Sequence, residues 1–236
     1  MTEKHLELSN LRAELDQLVI KLKANGDIKN YQNPMYDGPL NIEEYFKSDL
    51  KIIWVLKEAY DGPDGSCSGW NYAEAVGGNP NAYLLTKLNK TWLPIAYTSF
   101  GIQNKLKRNE MKKVRDDLNS YHEALRKISL VNINKLAAVN ETSSPYSQVK
   151  KAFARFKQIL KKQIEILEPD VIIWAGTDDW MWQLFGNSIL KEERGKNTIW
   201  KLGKVILIPA YHPANTKIKN ENYIDDIINT AHLGLK

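Results

Sequence analysis

The fold is decided by the stretch Leu50-Lys51-Ile52-Ile53-Trp54-Val55-Leu56, which is followed by Lys57-Glu58-Ala59-Tyr60-Asp61-Gly62-Pro63-Asp64-Gly65. The first part is a short apolar run with β-branched residues, typical of a strand that is buried on both faces. The second part is polar and contains glycine and proline, which is typical of a loop. A buried strand that ends in such a loop is where parallel α/β sheets place their ligand sites.

Three further segments have the same character as residues 50–56. They cover residues 129–134, 171–176 and 205–208, and the last one follows a predicted edge hairpin that begins at Ile199. Amphipathic segments separate these strands, and alternation of buried strands with helices indicates a mainly parallel sheet covered on both faces. The sequence therefore predicts a three-layer α/β/α fold with a central, mainly parallel four-stranded sheet.

The helical segments are predicted from apolar residues at three- and four-residue steps. The first runs from about Leu8 to Leu22 and ends at Asn25-Gly26. Helical pattern also covers residues 81–128, with breaks expected near Pro94 and Gly101, and residues 147–167, 177–185 and 223–233. The absence of repeats and linkers favours one domain over residues 1–236, with an N-terminal helical extension over about residues 1–48.

Composition narrows the function classes. The chain has 236 residues, a formal net charge of +5, four histidines and one cysteine. A single cysteine, Cys67, rules out an intrachain disulfide and an all-cysteine metal or iron–sulfur site, and the four histidines have no metal-ligand spacing. We expect no cofactor, no metal and no membrane span, and a cytoplasmic location. The positive charge weakly favours a polyanionic partner.

Polar side chains follow three of the four predicted strands. Glu58 and Asp61 follow the first, Asn132 and Asn134 end the second, and His212 follows the fourth. The carboxyl ends of parallel strands lie at one edge of a sheet, so these groups are expected to line one cleft. Each has a structural alternative, because Glu58 could cap a turn, the asparagines could satisfy loop backbone, and His212 could bond a carbonyl group.

Four segments of the chain resemble motifs of the uracil-DNA glycosylase superfamily, and they follow one another along the chain in the same order as in that superfamily. Gly203 to Ala214, which ends in Tyr211-His212-Pro213-Ala214, is similar to the second active-site motif of its thermophilic His-Pro-Ala type. Glu58-Ala59 matches part of the first motif. Leu130-Val131-Asn132 is similar to the strand that ends in the base-reading asparagine, and residues 167–176 are similar to the segment in which a helix ends before the third strand. The chain lacks the cysteines that hold the iron–sulfur cluster in that type.

The resemblance implies an α/β fold and hydrolysis of the N-glycosidic bond of uracil or another damaged base in DNA, duplex or single-stranded. His212 would stabilise the anion on the departing base, and Glu58, or Asp61 in a shifted register, would act on water or the sugar. Base binding would fall to Asn132, with Trp70 or Tyr72 as a stacking platform. DNA contacts would come from Asn215, Lys217 and Lys219.

Several positions depart from the family pattern and leave alternatives open. Lys57, Tyr60 and Asp61 stand where the first motif has glycine, proline and glycine, and Asn215 to Lys217 replace the leucines and arginine of the duplex wedge. A catalytically inactive nucleic-acid- or nucleotide-binding member of the same fold is the alternative. A hydrolase or transferase of small nucleosides is a third. The aromatic residues could equally pack in the core, and the lysines could be solvated.

Overall fold

The computed structural model describes residues 2–29, 32–59, 71–77, 81–85, 89–138, 145–194 and 197–236. Its strands are β1 (Gly38–Pro39), β2 (Ile52–Leu56), β3 (Ile128–Asn132), β4 (Val171–Ala175), β5 (Ile189–Arg194), β6 (Asn197–Leu202) and β7 (Val205–Ala210). Its α-helices are α1 (Glu3–Ala24), α2 (Ile42–Lys47), α3 (Tyr72–Gly77), α4 (Asn81–Leu84), α5 (Asn89–Asn104), α6 (Leu118–Arg126), α7 (Tyr146–Leu167), α8 (Asp178–Phe185) and α9 (Asn220–Gly234).

The strands form one seven-stranded sheet in the order β1-β3-β2-β4-β7-β6-β5. Strands β3, β2, β4 and β7 are mutually parallel, and β1, β6 and β5 add to the two sides in antiparallel pairing. The α/β class is confirmed, as is the hairpin into β7, but its predicted edge position was wrong because β5 pairs with β6 on the outer side. The prediction of four strands in the sheet was wrong, because the charged β5 and the two-residue β1 lack the apolar run by which strands were recognised.

Successive residues of the parallel strands point to opposite faces and build two cores. On one face, Ile52 and Trp54 belong to a cluster with residues of α5, α6 and α9. On the other face, Ile53 and Val55 pack with residues of α7 and α8. The central residues of β2 are fully buried, as expected for a strand that has helices on both of its faces.

Helix α1 adds a further layer outside α7. Leu11, Leu15 and Val19 pack against Phe156 and Ile159 of α7 in a third apolar cluster. The segment predicted as an N-terminal extension, residues 1–48, also supplies β1 to the sheet and the buried Tyr45 to the core. None of the helices in the described ranges combines the length with the apolar character that a membrane crossing requires.

The breaks predicted near Pro94 and Gly101 were wrong, because α5 continues through both positions. Gly101 is instead a close-packing position. A Cβ atom there would collide with Ile228 of α9 and with Met111, and would lie 2.8 Å from the carbonyl oxygen of Leu106. The missing side chain lets α5 approach α9 and helps to fix the position of α9 over β7.

Candidate functional site

The carboxyl ends of the four parallel strands bring the predicted polar residues to one edge of the sheet. Leu56 pairs with Asn132, and Ala175 pairs with Ala210. Beyond the last pairs, the chain continues into Lys57 and Glu58 after β2, Gly176 after β4, and His212 after β7. Because β2 and β4 lie between β3 and β7, these residues form a row from Asn132 to His212.

His212 is held as a neutral imidazole with a defined tautomer. Burial, helped by the positive charge of Lys57, lowers the pKa of His212 to about 4. The backbone N–H of Ala214 donates to Nδ1 of His212 at 3.2 Å. Since Nδ1 accepts a hydrogen bond, the single proton of the neutral ring lies on Nε2. The imidazole therefore offers a hydrogen-bond donor at neutral pH.

Gly176 determines how closely β4 approaches the histidine loop. Its φ is +72°, in the left-handed region that favours glycine, and its N–H donates to the carbonyl of Ala210 at 2.6 Å. A Cβ atom on Gly176 would lie 3.3 Å from Cβ of His212 and 3.2 Å from its backbone nitrogen. Glycine at this position allows the His212 backbone to pack directly on the end of β4.

Glu58 is buried and has one engaged and one free carboxylate oxygen. Its Oε2 accepts a hydrogen bond from Nδ2 of Asn134 at 3.2 Å. Oε1 is shielded from solvent and accepts no hydrogen bond within the described residues. A buried acceptor without a donor costs free energy, so Oε1 is suited to a donor that arrives with a ligand or with water.

Asn132 shows the same pattern. Its Nδ2 donates to the hydroxyl group of Tyr72 at 3.3 Å, and its Oδ1 is buried and has no donor among the described residues. Tyr72 is itself buried and packs edge-on against Trp92, with ring centroids 6.0 Å apart. The structure thus places Tyr72 behind Asn132 as its hydrogen-bond partner.

A buried ion pair holds the end of β3. The Asp37 carboxylate accepts the backbone N–H of Asn132 and pairs with Nζ of Lys135 at 2.9 Å. Gln163 of α7 accepts from Nζ of Lys135 at 2.6 Å and donates to the Asp37 carboxylate at 2.9 Å. Burial lowers the pKa of Lys135, and the charge of Asp37 partly offsets this effect. This network fixes the strand end that carries Asn132.

The residues predicted to contact DNA lie on the loop between β7 and α9. Asn215 accepts backbone N–H groups of Lys217 and Ile218 through Oδ1, so it closes the turn after His212. Lys217 is exposed, with Nζ 5.4 Å from the ring centroid of the exposed Tyr211. Lys219 caps the start of α9 and is exposed. The other two candidates, Asp61 and Trp70, lie outside the described residues.

A groove of about 390 Å³ opens beside this edge of the sheet. Gly176, Ala210 and Tyr211 line it on the side of the sheet, and Tyr223 and Ile227 line it on the side of α9. The hydroxyl group of Tyr223 donates to the carbonyl of Tyr211 at 2.8 Å, which ties α9 to the residue before His212. The groove thus borders Tyr211, the residue before His212, while His212, Glu58 and Asn132 are not among its lining residues.

Sequence reasoning missed Lys57, Asp37 and Lys135 as contributors to the site. Lys57 precedes Glu58 directly, so its position after a buried strand was a usable signal. Asp37 and Lys135 gave no such signal, because 98 residues separate them in sequence and only the fold brings them together.

The described residues contain no group of three or more histidine, cysteine, aspartate or glutamate side chains that could hold a metal ion. The site instead combines a neutral imidazole, a buried carboxylate and a buried amide. This set can donate to a developing anion, accept from water and accept from the edge of a base. A scan against models of protein families gives no match for the chain, and a search of curated proteins finds no similar sequence.

Proposed function

We propose that this protein hydrolyses the N-glycosidic bond of uracil or another deaminated base in DNA. The observation that carries the proposal is the row of three polar groups at the carboxyl edge of the sheet. His212 is neutral there. Glu58 and Asn132 each have a buried acceptor oxygen that has no donor among the described residues. Two such acceptors at one edge point to a polar ligand that supplies hydrogen-bond donors.

His212 has the properties needed to stabilise a leaving base. Cleavage of the bond leaves negative charge on the base, and a donor aimed at that charge lowers the barrier. With a pKa of about 4, the imidazole stays neutral at pH 7 and donates from Nε2 without losing a proton to solvent. The charge of Lys57, which acts on His212, would further favour an anion at this position.

Glu58 would act on the sugar side of the bond. A carboxylate can stabilise the cationic sugar of the transition state or accept a proton from the attacking water. The contact with Asn134 leaves Oε1 for either role. The same contact fixes the side chain, so the free oxygen has a defined direction.

Asn132 would read the base through its free Oδ1. This oxygen accepts a hydrogen bond, and uracil, hypoxanthine and xanthine each carry a ring N–H on the pairing edge. Cytosine and adenine have an acceptor nitrogen at that place, so they would leave Oδ1 unpaired at a cost of about 1–3 kcal/mol. The free acceptor therefore favours uracil over cytosine and hypoxanthine over adenine, whereas xanthine and its parent guanine both carry the ring N–H and are not separated by this contact.

The test is release of uracil, hypoxanthine or xanthine from labelled oligonucleotides, single-stranded and duplex, with variants His212→Ala, Glu58→Ala and Asn132→Ala. We expect losses of about 100-fold or more for His212→Ala, the scale found when a donor to a developing anion is removed. Glu165→Ala on the exposed face of α7 serves as the control and is expected to act like the unchanged protein. Absence of release from every substrate at enzyme excess would refute the hydrolytic proposal.

A binding-only protein of the same fold is the second candidate. The hydrogen bond between Asn134 and Glu58 favours this candidate, because a glutamate that accepts a hydrogen bond from a neighbouring amide can have a purely structural role. In that case the oligonucleotides would bind without base release, and Asn132→Ala would weaken the preference for deaminated bases. Binding and release measured on the same samples separate the two candidates.

A further inference from the structure

A second groove, of about 420 Å³, lies on the other side of the first turns of α9 and takes no part in the site described above. Apolar and aromatic residues of α4 and α5 line it, among them Leu84, Leu93 and Tyr97. Its rim carries Arg108, Lys113 and Arg115, from the segment that connects α5 to α6. We propose that this groove binds the phosphate backbone of a nucleic-acid strand, a partner whose identity rests on the proposed function.

Arg108, at the rim of the groove, is held in a fixed position. The guanidinium group of Arg108 lies over the ring of Tyr97, 3.7 Å from its centroid. The hydroxyl group of Tyr97 accepts the backbone N–H of Val114 at 3.0 Å, and the backbone N–H of Arg108 donates to Asp225 at 2.7 Å. A stacked guanidinium keeps its N–H donors available at the plane's edge, which suits bidentate contact with a phosphate group.

The lining of the groove carries more cations than carboxylates. Within the described residues, Arg108 and Lys113 form no ion pair with a side-chain carboxylate, and Arg115 has only a 3.9 Å contact with the exposed Asp116. The opposing carboxylate on the lining is Glu221. The lining itself carries three cations and one anion, with the carboxylates of Asp116 and Asp225 beside Arg115 and the backbone of Arg108. This excess of positive charge in the lining, on a chain with a net charge of +5, favours a polyanionic ligand.

The groove is connected to the candidate site by two segments of the chain. On one side, Tyr72 bonds Asn132 and packs against Trp92, whose neighbour Leu93 lines the groove. On the other side, the loop that follows His212 leads into α9, whose first residues, Asn220 and Glu221, also line it. The groove therefore lies on elements that also pack against the candidate site.

The combination of a basic rim and an apolar floor favours an unpaired strand over a duplex. Single-stranded sites combine cations that follow the backbone with side chains, mostly aromatic, on which the bases stack, and in this groove leucine side chains supply the apolar surface. A duplex presents its phosphates but keeps its bases stacked, so the floor formed by Leu84, Leu85 and Leu93 would have no partner. We therefore expect single-stranded DNA to use the groove more fully than duplex DNA.

The experiment measures binding of a fluorescent single-stranded oligonucleotide without damaged bases, by anisotropy, over a range of salt concentrations. Arg108→Ala and Lys113→Gln are each expected to weaken binding about 5-fold and to reduce the salt slope by about 0.7. Glu221→Gln is expected to strengthen binding, because it removes the opposing charge. Lys151→Gln and Lys157→Gln, on the exposed face of α7, remove the same charge far from the groove and serve as matched controls.

Equal losses in the groove variants and in the α7 controls would show attraction by net charge alone and would overturn the proposal. Competition by poly-glutamate as effective as competition by unlabelled oligonucleotide would assign the groove to acidic proteins and would also overturn it. Because this oligonucleotide contains no damaged base, the result does not depend on hydrolysis. If the protein releases bases but the groove variants bind like the unchanged protein, the groove proposal alone is refuted. If the groove variants bind more weakly but no base is released, the hydrolytic function alone is refuted.

Discussion

Two features of its surroundings set the charge state of His212, and they can be changed separately. Burial is the larger cause of its low pKa, and the charge of Lys57 is the second. Replacing Lys57 by methionine keeps the bulk of the side chain and removes the charge. We expect Lys57→Met to raise the pKa of His212 above about 4 without restoring the ordinary value of 6.5, because burial, the larger cause, remains.

An NMR titration of the imidazole resonances measures this change directly and requires no substrate. Lys204→Met, in the turn before β7 at the opposite end of that strand, provides the control and should leave the titration of His212 unchanged. An unchanged pKa in Lys57→Met would show that Lys57 does not act on the imidazole, and its proposed effect on the leaving base would lose its basis.

The same pKa links His212 to folding. In the unfolded chain the imidazole titrates near 6.5, whereas in the folded protein it titrates near 4. Between these values the unfolded state binds more protons, so stability is fully present above pH 6.5 and falls as the pH approaches 4. The contribution lost at pH 4.5 is about 2–3 kcal/mol, from the difference of the two titrations.

Urea unfolding at pH 7 and pH 4.5 tests this linkage in the unchanged protein and in His212→Gln. The variant lacks the titrating group, so its free energy of unfolding should fall by about 2–3 kcal/mol less than that of the unchanged protein over this interval. Equal losses in both proteins would mean that His212 has an ordinary pKa in the folded state.

At the scale of elements, the buried pair of Asp37 and Lys135 ties β1, β3 and α7 together. Lys135→Met leaves the Asp37 carboxylate buried without its cation, and we expect a loss of about 3–5 kcal/mol in the free energy of unfolding. The double variant Asp37→Leu, Lys135→Met removes both charges and should recover part of this loss, because Gln163 and the backbone N–H of Asn132 then lose their buried partners. Urea unfolding of the three proteins measures both effects.

The double variant also separates stability from the positioning of Asn132. Its backbone N–H loses the Asp37 acceptor, so hydrogen exchange at Asn132 should be faster than in the unchanged protein even where global stability is partly regained. Unchanged exchange at Asn132 would show that Asp37 does not hold the end of β3.

The packing of α5 on α9 gives a second prediction at this scale. Gly101→Ala places a methyl group against Ile228, Met111 and the carbonyl of Leu106, and overpacking of this kind costs about 1–3 kcal/mol. Lys90→Ala, at an exposed position of the same helix, is the control and should change stability by less than about 0.5 kcal/mol. Thermal unfolding of both variants measures the difference, and equal midpoints would contradict close packing at Gly101.

The elements differ in how far they could be predicted from sequence. The strands β2, β3, β4 and β7 were recognised because they are buried apolar runs, and Glu58, Asn132 and His212 lie at or just beyond the carboxyl ends of three of them. The helix α5 was divided in the prediction because proline and glycine usually end helices. Neither residue ends it, since tertiary packing outweighs local propensity. The charged β5 is a strand because it pairs with β6, which periodicity alone does not indicate.

At the scale of the whole molecule, the N-terminal segment is part of the structure that supports the site. Sequence periodicity correctly indicated the helix around Leu15 but could not show what it covers. A small cavity of about 20 Å³ under α1 is lined by Leu11 and Leu15 on one side and by Asp37, Lys135 and Gln163 on the other. Helix α1 therefore keeps water from the ion pair that fixes Asn132.

Shortening a buried side chain of α1 should consequently affect more than the outer helical layer. Leu15 is 4% exposed, and Leu15→Ala removes buried side-chain volume next to the ion pair, which we expect to cost about 2–5 kcal/mol. Ile20, on the same helix, is 57% exposed, so Ile20→Ala should change stability by less than about 0.5 kcal/mol. Urea unfolding of the two variants measures this contrast, and hydrogen exchange at Asn132 reports whether the disturbance reaches the site. If Leu15→Ala costs no more than Ile20→Ala, α1 is held loosely on α7, and the ion pair between Asp37 and Lys135 must be shielded by other residues.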